Sequence, residues 1–292
     1  MRKDQKMKTE KATGPIKENP GSRIHFANKP GLVAYVTCGD PDIATTRAIV
    51  LAAIRAGADV IELGVPFSDP VADGEVIQRA SERALRNGIT LRDMLACAAR
   101  ARERTDVPVV LFSYFNPLLQ FGIDRLANEA KQAGIDAVLI TDLIPEEAQS
   151  WAEALYQREL DPIFLAAPTT SDKRLARIAR QARGFIYAVS RAGVTGARDE
   201  MTRDAEALVQ RVRSVSDLPV AVGFGVSTAE QVREIWRFAD AAVVGSAIVR
   251  EIEKLTGSPN LVSRIGEFAR SLLPEKQSAI ERTTIRRSTS NA

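Results

Sequence analysis

Histidine and cysteine are scarce in this chain of 292 residues. The one histidine, His25, lies near the N-terminus and is expected to be a surface or capping residue. It cannot form a His cluster for zinc or non-haem iron, and it leaves no plausible Ser-His-Asp triad. The two cysteines, Cys38 and Cys97, form neither a CxxC motif nor a disulfide framework, and Cys38 is expected to be simply buried. These absences argue against metal and serine-hydrolase chemistry, and they favour a reducing cytoplasm.

Long apolar runs are also missing. No segment has the length that a membrane-spanning helix needs, and the charges at the N-terminus are not followed by the apolar stretch of a signal peptide. The sequence therefore predicts a soluble, cytoplasmic protein without a membrane partner.

The charge of the chain is unevenly distributed. The formal net charge is +3, but residues 1–23 and 275–292 hold the basic excess, and the remainder is acidic. These end segments contain no aromatic residue that could stack on a base, so no nucleic-acid partner is expected. Their polar, aperiodic composition predicts disordered tails over 1–22 and 274–292, which leaves 23–273 for the folded domain.

Short apolar runs alternate with segments of helical periodicity from residue 31 onward. This alternation is typical of repeated βα units, and eight units predict a single (β/α)8 TIM barrel. An open doubly wound sheet is the alternative, but no GxGxxG follows the first strand, and eight units exceed its usual six strands. In AGAD (56–59), AGID (133–136) and FAD (238–240), Gly or a small residue is expected to stop a helix before the next strand. The predicted strands are 32–37, 59–64, 108–114, 136–141, 162–167, 184–190, 219–224 and 240–245.

Two carboxylates follow the second predicted strand in ELGVPFSDPVADG (62–74). Glu62 ends an apolar run, where a carboxylate is costly to desolvate unless it has a function. Pro66 and Pro70 stiffen the loop that leads to Asp73. Structural roles remain possible, namely a buried ion pair with an Arg for Glu62 and a helix N-cap for Asp73.

Glycine-rich loops follow the last three predicted strands. Gly225 and Gly245 let the backbone approach a ligand, and Ser246 begins a helix whose free N–H groups favour an anion. Gly196, in the loop after the sixth strand, is available to the same site. Barrels commonly hold phosphate at these loops, so a small phosphate ester is the expected substrate, although the glycines could simply end strands.

Several segments together resemble one known family, the tryptophan synthase alpha chains, over roughly residues 31–270. The resemblance implies a TIM barrel that cleaves indole-3-glycerol phosphate into indole and glyceraldehyde 3-phosphate, a carbon–carbon lyase of tryptophan biosynthesis. The segments that carry it are AYVTCGDPD (34–42), AGADVIELGVPFSDPVADG (56–74), SYFNPL (113–118), APTTSD (167–172), YAVSRAGVTGAR (187–198), VGFGVST (222–228) and VGSAIV (244–249).

The resemblance also implies roles for individual residues. Glu62 matches the general acid–base residue, Asp73 matches the residue that binds the indole N–H, and Tyr187 matches a tyrosine at the reacting glycerol end. Other positions match contacts to substrate or to the acid-bearing loop. These are Gly196, Gly225, Gly245 and Ser246 for phosphate, Tyr35, Tyr114 and Phe224 for the indole pocket, and Thr195 for loop closure.

A protein partner is implied as well. In the family a separate beta chain carries pyridoxal phosphate and converts indole into tryptophan in an alpha2-beta2 tetramer, so no cofactor is expected in this chain. Asp69, Pro66 and SYFNPL match regions that face the beta chain. Two alternatives remain, a freestanding indole-3-glycerol-phosphate lyase and a non-catalytic barrel that activates a beta-type partner.

Another phosphate-binding barrel, such as an isomerase of the histidine or tryptophan pathway, would need acids after the first and fifth strands. Asp40 is present after the first, but the fifth is followed only by Ala-Pro-Thr-Thr. The chain also departs from the family pattern. Segment 22–31 is shorter than the usual first helix, which predicts a reduced layer beneath the barrel, and the spacing of TDLIP (141–145) is unusual, although Asp142 still matches.

Overall fold

Eight parallel strands pair in chain order, and the last pairs with the first, so that the sheet closes into a barrel. The computed structural model describes residues 21–26, 30–189, 198–223 and 225–274, with only the backbone for 198–201. All eight predicted strands are present with small shifts at their ends, which confirms the TIM barrel. The strands are β1 (Gly31–Thr37), β2 (Val60–Gly64), β3 (Val109–Ser113), β4 (Ala137–Ile140), β5 (Asp161–Ala166), β6 (Ile186–Val189), β7 (Val220–Gly223) and β8 (Ala241–Val244).

Eleven helices lie within the described ranges and surround this sheet. Each βα unit contributes at least one helix, and three helices are additional to the repeat. The helices are α1 (Ile43–Ala56), α2 (Glu75–Arg86), α3 (Leu91–Arg102), α4 (Phe115–Phe121), α5 (Ile123–Gln132), α6 (Gln149–Tyr156), α7 (Asp172–Gln181), α8 (Arg198–Arg213), α9 (Ala229–Ile235), α10 (Ser246–Leu255) and α11 (Leu261–Ser271).

Helical periodicity over 75–104 predicts a single helix there, and this prediction is wrong, because the segment forms two helices. The helix ends at Asn87, Gly88 adopts a left-handed conformation with φ of 70°, and α3 begins after Thr90. Thr90 and Asp93 form a capping box, in which each side chain bonds to the backbone N–H of the other. Such a box satisfies N–H groups that a helix start leaves free, and this explains the restart. Segment 258–273 is also periodic, which predicts a final helix packed on the barrel, and this helix is present as α11.

Side chains alternate between the inside and the outside of the barrel, as a strand period of two requires. Val33, Val60 and Val110 contact one another in the interior, whereas their neighbours in sequence pack against the helices. The lower opening is closed by Ile24, which is 1% exposed and joins the interior cluster. Residues 22–26 are not helical, so a short non-helical segment closes the lower opening in place of a full first helix.

Ser22 belongs to this closing segment, although the prediction placed it in the tail. Its side chain is buried, and its hydroxyl donates to the Asp161 carboxylate at 2.5 Å. Residues 1–20 and 275–292, which hold the predicted tails, lie outside the described residues. The tail boundaries therefore stay predictions.

Aspartates support the amino ends of the strands. The Asp136 carboxylate accepts the Val109 N–H at 2.8 Å and also pairs with Arg102 at 2.5 Å. Asp240 accepts the Val220 N–H at 2.9 Å in the same manner. The third such bond joins Asp59 to the Leu32 N–H at 2.9 Å. These residues are the Asp of AGAD, AGID and FAD, so the repeated pattern ends in a carboxylate that bonds to the neighbouring strand.

Both cysteines are buried and free. They are distant in sequence, yet the fold places them together, and a hydrogen bond with Cys97 raises the pKa of Cys38. Sequence distance did not predict this contact. None of the helices in the described ranges is both long and apolar enough to cross a membrane.

Candidate active site

Glu62 is the third of the five residues of β2 and points into the barrel. It has the same strand parity as the interior residue Val60, and its neighbours in register are Tyr35 and Val110. The side chain is 1% exposed, and its Oε1 has no hydrogen-bond partner among the described residues. Burial raises the pKa of Glu62 from 4.5 to about 8, because desolvation disfavours the carboxylate. No ion pair with an Arg is present, so the structural alternative for Glu62 is wrong within the described part of the chain.

Asp73 lies near the end of the segment that joins β2 to α2, which we call the acid loop (residues 65–74). Turns shape its second half, since the Asp73 N–H donates to the Pro70 carbonyl at 2.9 Å. The N-cap of α2 is Gly74, and no side chain caps that helix, so Asp73 does not serve as its cap. Burial raises the pKa of Asp73 to about 6, partly offset by a hydrogen bond from the Tyr114 hydroxyl.

Tyr114 contacts the acid loop at three residues. Its hydroxyl accepts the Ala72 N–H at 2.9 Å, and its ring lies against Phe67 with the centroids 5.2 Å apart. The same hydroxyl bonds to the Asp73 carboxylate. Tyr114 was predicted from the resemblance to line an indole pocket, and the structure adds direct contacts with the loop that carries Asp73.

Tyr35 and Tyr187 complete the inward-facing group. Both are buried, and burial raises the pKa of each phenol, with smaller increases from Glu62 on both and from Asp73 on Tyr35. The Tyr35 ring also meets Phe112 edge-on at 5.2 Å. Glu62, Asp73 and the three tyrosines are therefore neighbours, although they lie on four different βα units.

Two glycines that the sequence reasoning missed provide room for these rings. A Cβ at Gly64 would overlap the Tyr35 ring, and a Cβ at Gly223 would overlap the Tyr187 hydroxyl. Both glycines are the last residues of their strands, and their lack of a side chain makes room for a tyrosine ring of the same barrel. The available signal was a glycine directly after Leu63 or Val222 in strands otherwise rich in branched residues.

The predicted phosphate positions lie partly within the described residues. Gly225 is exposed with φ of 67°, and Gly245 is the N-cap of α10, which no side chain caps. Ser246 is the first residue of α10 and is half-buried. Gly245 lies against Tyr35, since a Cβ there would be 3.4 Å from the Tyr35 Cβ. The anion-favouring end of α10 is thus next to the carboxylate group. Gly196, Thr195 and Phe224 lie outside the described residues.

The residues predicted to face a partner differ in exposure. Asp69 is exposed, and its carboxylate accepts a hydrogen bond from Ser68 at 2.5 Å. Pro66 is buried in this chain, so it is not available for direct contact, and its predicted interface role is not supported. Val71, which was not predicted, is 85% exposed on the same loop.

SYFNPL (113–118) was predicted as a partner-facing segment, and most of it forms α4. The Asp142 carboxylate accepts the Phe115 N–H at 2.6 Å, so the loop after β4 fixes the start of that helix. The unusual spacing of TDLIP therefore leaves Asp142 with a defined structural role.

A buried carboxyl group with a raised pKa, next to a helix end that favours anions, defines the class of the protein. It is a (β/α)8-barrel enzyme with acid–base groups at the carboxyl ends of its strands. A family model described as the tryptophan synthase alpha chain matches residues 22–276. The chain belongs to the tryptophan synthase alpha chain family, which confirms the resemblance seen in the sequence and places it among the carbon–carbon lyases of tryptophan biosynthesis.

Known members of the family cover most of this chain. It is 49% identical to the tryptophan synthase alpha chain of Solibacter usitatus, over 84% of this chain and 92% of the relative. It is 52% identical to that of Citrifermentans bemidjiense, over 82% and 90%. Among solved structures, subunit alpha from Legionella pneumophila superposes with a TM-score of 0.78 at 36% identity, over 84% of this chain and 91% of that one. A chain of the tryptophan synthase a2b2 complex of Pyrococcus furiosus gives 0.78 at 38%, over 84% and 98%.

Proposed function

We propose that this chain cleaves indole-3-glycerol phosphate by a retro-aldol reaction in which Glu62 moves protons and Asp73 stabilises the indole ring. A proton is added to indole C3, and the adjacent glycerol hydroxyl loses its proton. The bond between C3 and the carbinol carbon then breaks, and its electron pair returns to the ring. The products are indole and glyceraldehyde 3-phosphate.

The protonated, partly unpartnered carboxyl group of Glu62 is the observation that carries this proposal. A pKa of about 8 leaves the group protonated at neutral pH, as proton donation to C3 requires. Its Oε1 has no partner among the described residues and is therefore available to substrate. After it gives up its proton, the carboxylate can accept the proton of the glycerol hydroxyl.

Asp73 supplies the complementary charge. With a pKa of about 6 it is ionised when Glu62 is still protonated. A carboxylate that accepts the indole N–H stabilises the positive charge that develops on the ring when C3 is protonated. The different pKa values of the two acids therefore support divided roles.

The remaining site residues bind and orient substrate in this proposal. Tyr187 and Tyr35 line the space beside Glu62, and Tyr114 orients the acid loop as well as bounding the indole pocket. Gly225, Gly245 and Ser246 bind the phosphate, with Gly196 from the loop after β6. Phe224 completes the indole pocket, and Thr195 fixes the closed acid loop.

A beta chain that carries pyridoxal phosphate is the proposed partner, in an alpha2-beta2 assembly within the cytoplasm. The a2b2 complex of the Pyrococcus furiosus relative supports this stoichiometry. The exposed side chains of Asp69 and Val71 on the acid loop are suited to such a contact, next to the site that releases indole. None of the proposed steps requires a cofactor bound to this chain.

Release of indole from indole-3-glycerol phosphate, by the chain alone and with a beta chain, tests the function. We expect activity that the beta chain increases, and a loss of about 10²–10⁴-fold in Glu62→Gln and Asp73→Asn. Glu75→Gln, which alters an exposed acid two residues after Asp73, is the matched control and should retain activity. Full activity without a beta chain would instead indicate a freestanding lyase, and no indole under either condition would indicate a non-catalytic activator.

A further inference from the structure

An ion-pair network joins α2 to α10 behind the proposed site. Arg83 of α2 binds the Asp40 carboxylate with two bonds of 2.8 and 2.9 Å, and it also donates to Glu253 of α10 at 2.8 Å. Arg79, one turn earlier in α2, binds the same Glu253 with bonds of 2.7 and 2.9 Å. The network therefore connects two helices and the loop after β1.

The position of α2 in the fold explains why such a network is needed. In the helix ring α1 packs against α3 and α11, whereas α2 packs against β1 and α10. The acid loop thus carries α2 back over the loop after β1, and Asp40 beneath it is only 1% exposed. A small apolar cluster, Tyr35, Ala80 and Val249, fills the remaining contact between β1, α2 and α10.

The polar contacts are suited to holding the two helices in one arrangement. Two-point Arg–carboxylate pairs fix orientation as well as distance. Hydrogen bonds from Arg79 and Arg83 lower the pKa of Glu253 to about 2, so the link stays charged across the physiological range. The Asn87 side chain adds a bond of 2.6 Å to the Pro41 carbonyl, next to Asp40.

The N-termini of these two helices bear the two ends of the proposed site. Asp73 lies just before α2, and Ser246 begins α10. Arg83 lies eight residues beyond Glu75, about 12 Å along the helix, so the network does not reach the substrate. A substrate bound through indole at one helix and through phosphate at the other requires a fixed spacing between them.

We infer that Arg83 and Glu253 are positioning residues whose ion pair sets the spacing between the acid loop and the phosphate-binding end of α10. This inference rests on the proposed function for the identity of the two ligand ends. It assigns a role in substrate recognition to residues that lie about two helical turns beyond the starts of α2 and α10.

Binding of two probes to Glu253→Gln tests the inference, because this variant leaves the Arg83–Asp40 pair in place. Indole-3-propyl phosphate has both ligand ends but no hydroxyl to react, and propyl phosphate has only the phosphate end. By calorimetry we expect about tenfold weaker binding of the first probe and a change of less than about twofold for the second. Arg83→Lys, which keeps the charge but loses the two-point bond, should behave similarly.

The matched control is Glu82→Gln, which removes the same charge from the solvent face of α2, where Glu82 lies 3.5 Å from Arg86. It should bind both probes like the unsubstituted chain. In turnover of indole-3-glycerol phosphate, Glu253→Gln should raise KM more than it lowers kcat. Partial unfolding would lower kcat at constant KM. A change mainly in KM would therefore indicate a positioning role, and a change only in kcat would indicate loss of folded protein.

Equal loss of both probes, or no loss of either, in Glu253→Gln would overturn the spacing role. The outcome for the proposed reaction is read separately. If the unsubstituted chain binds indole-3-propyl phosphate but releases no indole with a beta chain, the reaction is wrong and the binding data still decide the spacing. If it binds neither probe, both proposals fail.

Discussion

Carboxylates lie at both ends of this barrel, but their surroundings differ. At the amino ends of the strands, Asp136 and Asp240 each accept a backbone N–H from the neighbouring strand and pair with an arginine. At the carboxyl ends, Glu62 keeps an oxygen without a partner among the described residues, and burial raises its pKa to about 8. The same functional group thus joins strands at one end and is free to exchange a proton at the other.

The comparison shows what separates a structural from a reactive acid in one fold. At the lower end, Asp136 and Asp240 each have a backbone N–H and an arginine as partners for their negative charge, whereas Glu62 Oε1 has no partner among the described residues. Because nothing in the described part of the chain offsets the desolvation of the Glu62 carboxylate, its pKa is raised to about 8, and the group can donate a proton near neutrality. Removing a carboxylate should therefore lower the stability of the fold at the amino ends of the strands and raise it at Glu62.

The largest effect on stability is expected for Asp136→Asn. It removes the charge opposite Arg102 and weakens the bond to the Val109 N–H, both in a buried setting. We expect a loss of about 2–3 kcal/mol in the free energy of unfolding, measured by urea denaturation, with kcat unchanged. If Asp136→Asn were as stable as the unsubstituted chain but had a lower kcat, the assignment of structural acids to one end and reactive acids to the other would be contradicted.

Glu62→Gln should have the opposite effect on stability, and the effect should depend on pH. The folded-state pKa of Glu62 is raised from 4.5 to about 8, so the folded chain holds this proton more tightly than the unfolded chain. Its stabilising contribution is fully present below pH 4.5 and is lost as the pH rises through about 8. We therefore expect the free energy of unfolding of the Gln variant to be higher than that of the unsubstituted chain, by on the order of 2 kcal/mol near pH 9.

Urea denaturation of both proteins between pH about 5 and about 9 measures this difference. A constant difference across that range would mean that Glu62 ionises in the folded chain at its ordinary pKa, and the contrast between the ends would then be lost.

The pH dependence of kcat/KM should report both acids. Asp73 must be ionised, so activity should rise through pH about 6, and Glu62 must be protonated, so it should fall above about 8. We expect a bell-shaped plot of kcat/KM against pH with these two limbs, measured by the release of indole. A falling limb near the ordinary carboxyl pKa would contradict the role of Glu62 as proton donor.

The smallest effect is expected for Tyr114→Phe, which removes one hydroxyl from the acid loop. That hydroxyl lowers the pKa of Asp73, and Tyr35 is a further titratable group close enough to interact with the Asp73 carboxylate. Without the hydroxyl the acidic limb should move up by about half a pH unit, with a modest loss of kcat/KM. Lower thermal stability with an unmoved limb would instead assign Tyr114 to packing alone.

The barrel could be predicted from the sequence because each strand is recognised from residues that are adjacent in the chain. Each strand is a short apolar run between polar segments, and Glu62 in β2 is separated from Asp73 only by the end of that strand and the acid loop. The break between α2 and α3 was also local, at Gly88 and Thr90, but helical periodicity on both sides concealed it.

What the sequence did not predict depends on contacts between distant residues. Arg83 binds residues 43 positions earlier and 170 positions later, and no periodic pattern records such a pair. The Asp in AGAD, AGID and FAD was visible as a repeat, but its function follows only from the neighbouring strand whose N–H it accepts. The burial of Pro66 could not be predicted from the sequence for the same reason, since it depends on the folded loop.

The fit of Tyr35 against Gly64 constrains how this sequence can change over evolution. Any side chain at position 64 would occupy space that the Tyr35 ring now fills, so a substitution there is harmful alone. A smaller residue at position 35 would remove the conflict and make the same substitution tolerable. The two positions are therefore expected to vary jointly among homologues, with each substitution permitted or forbidden by the residue at the other.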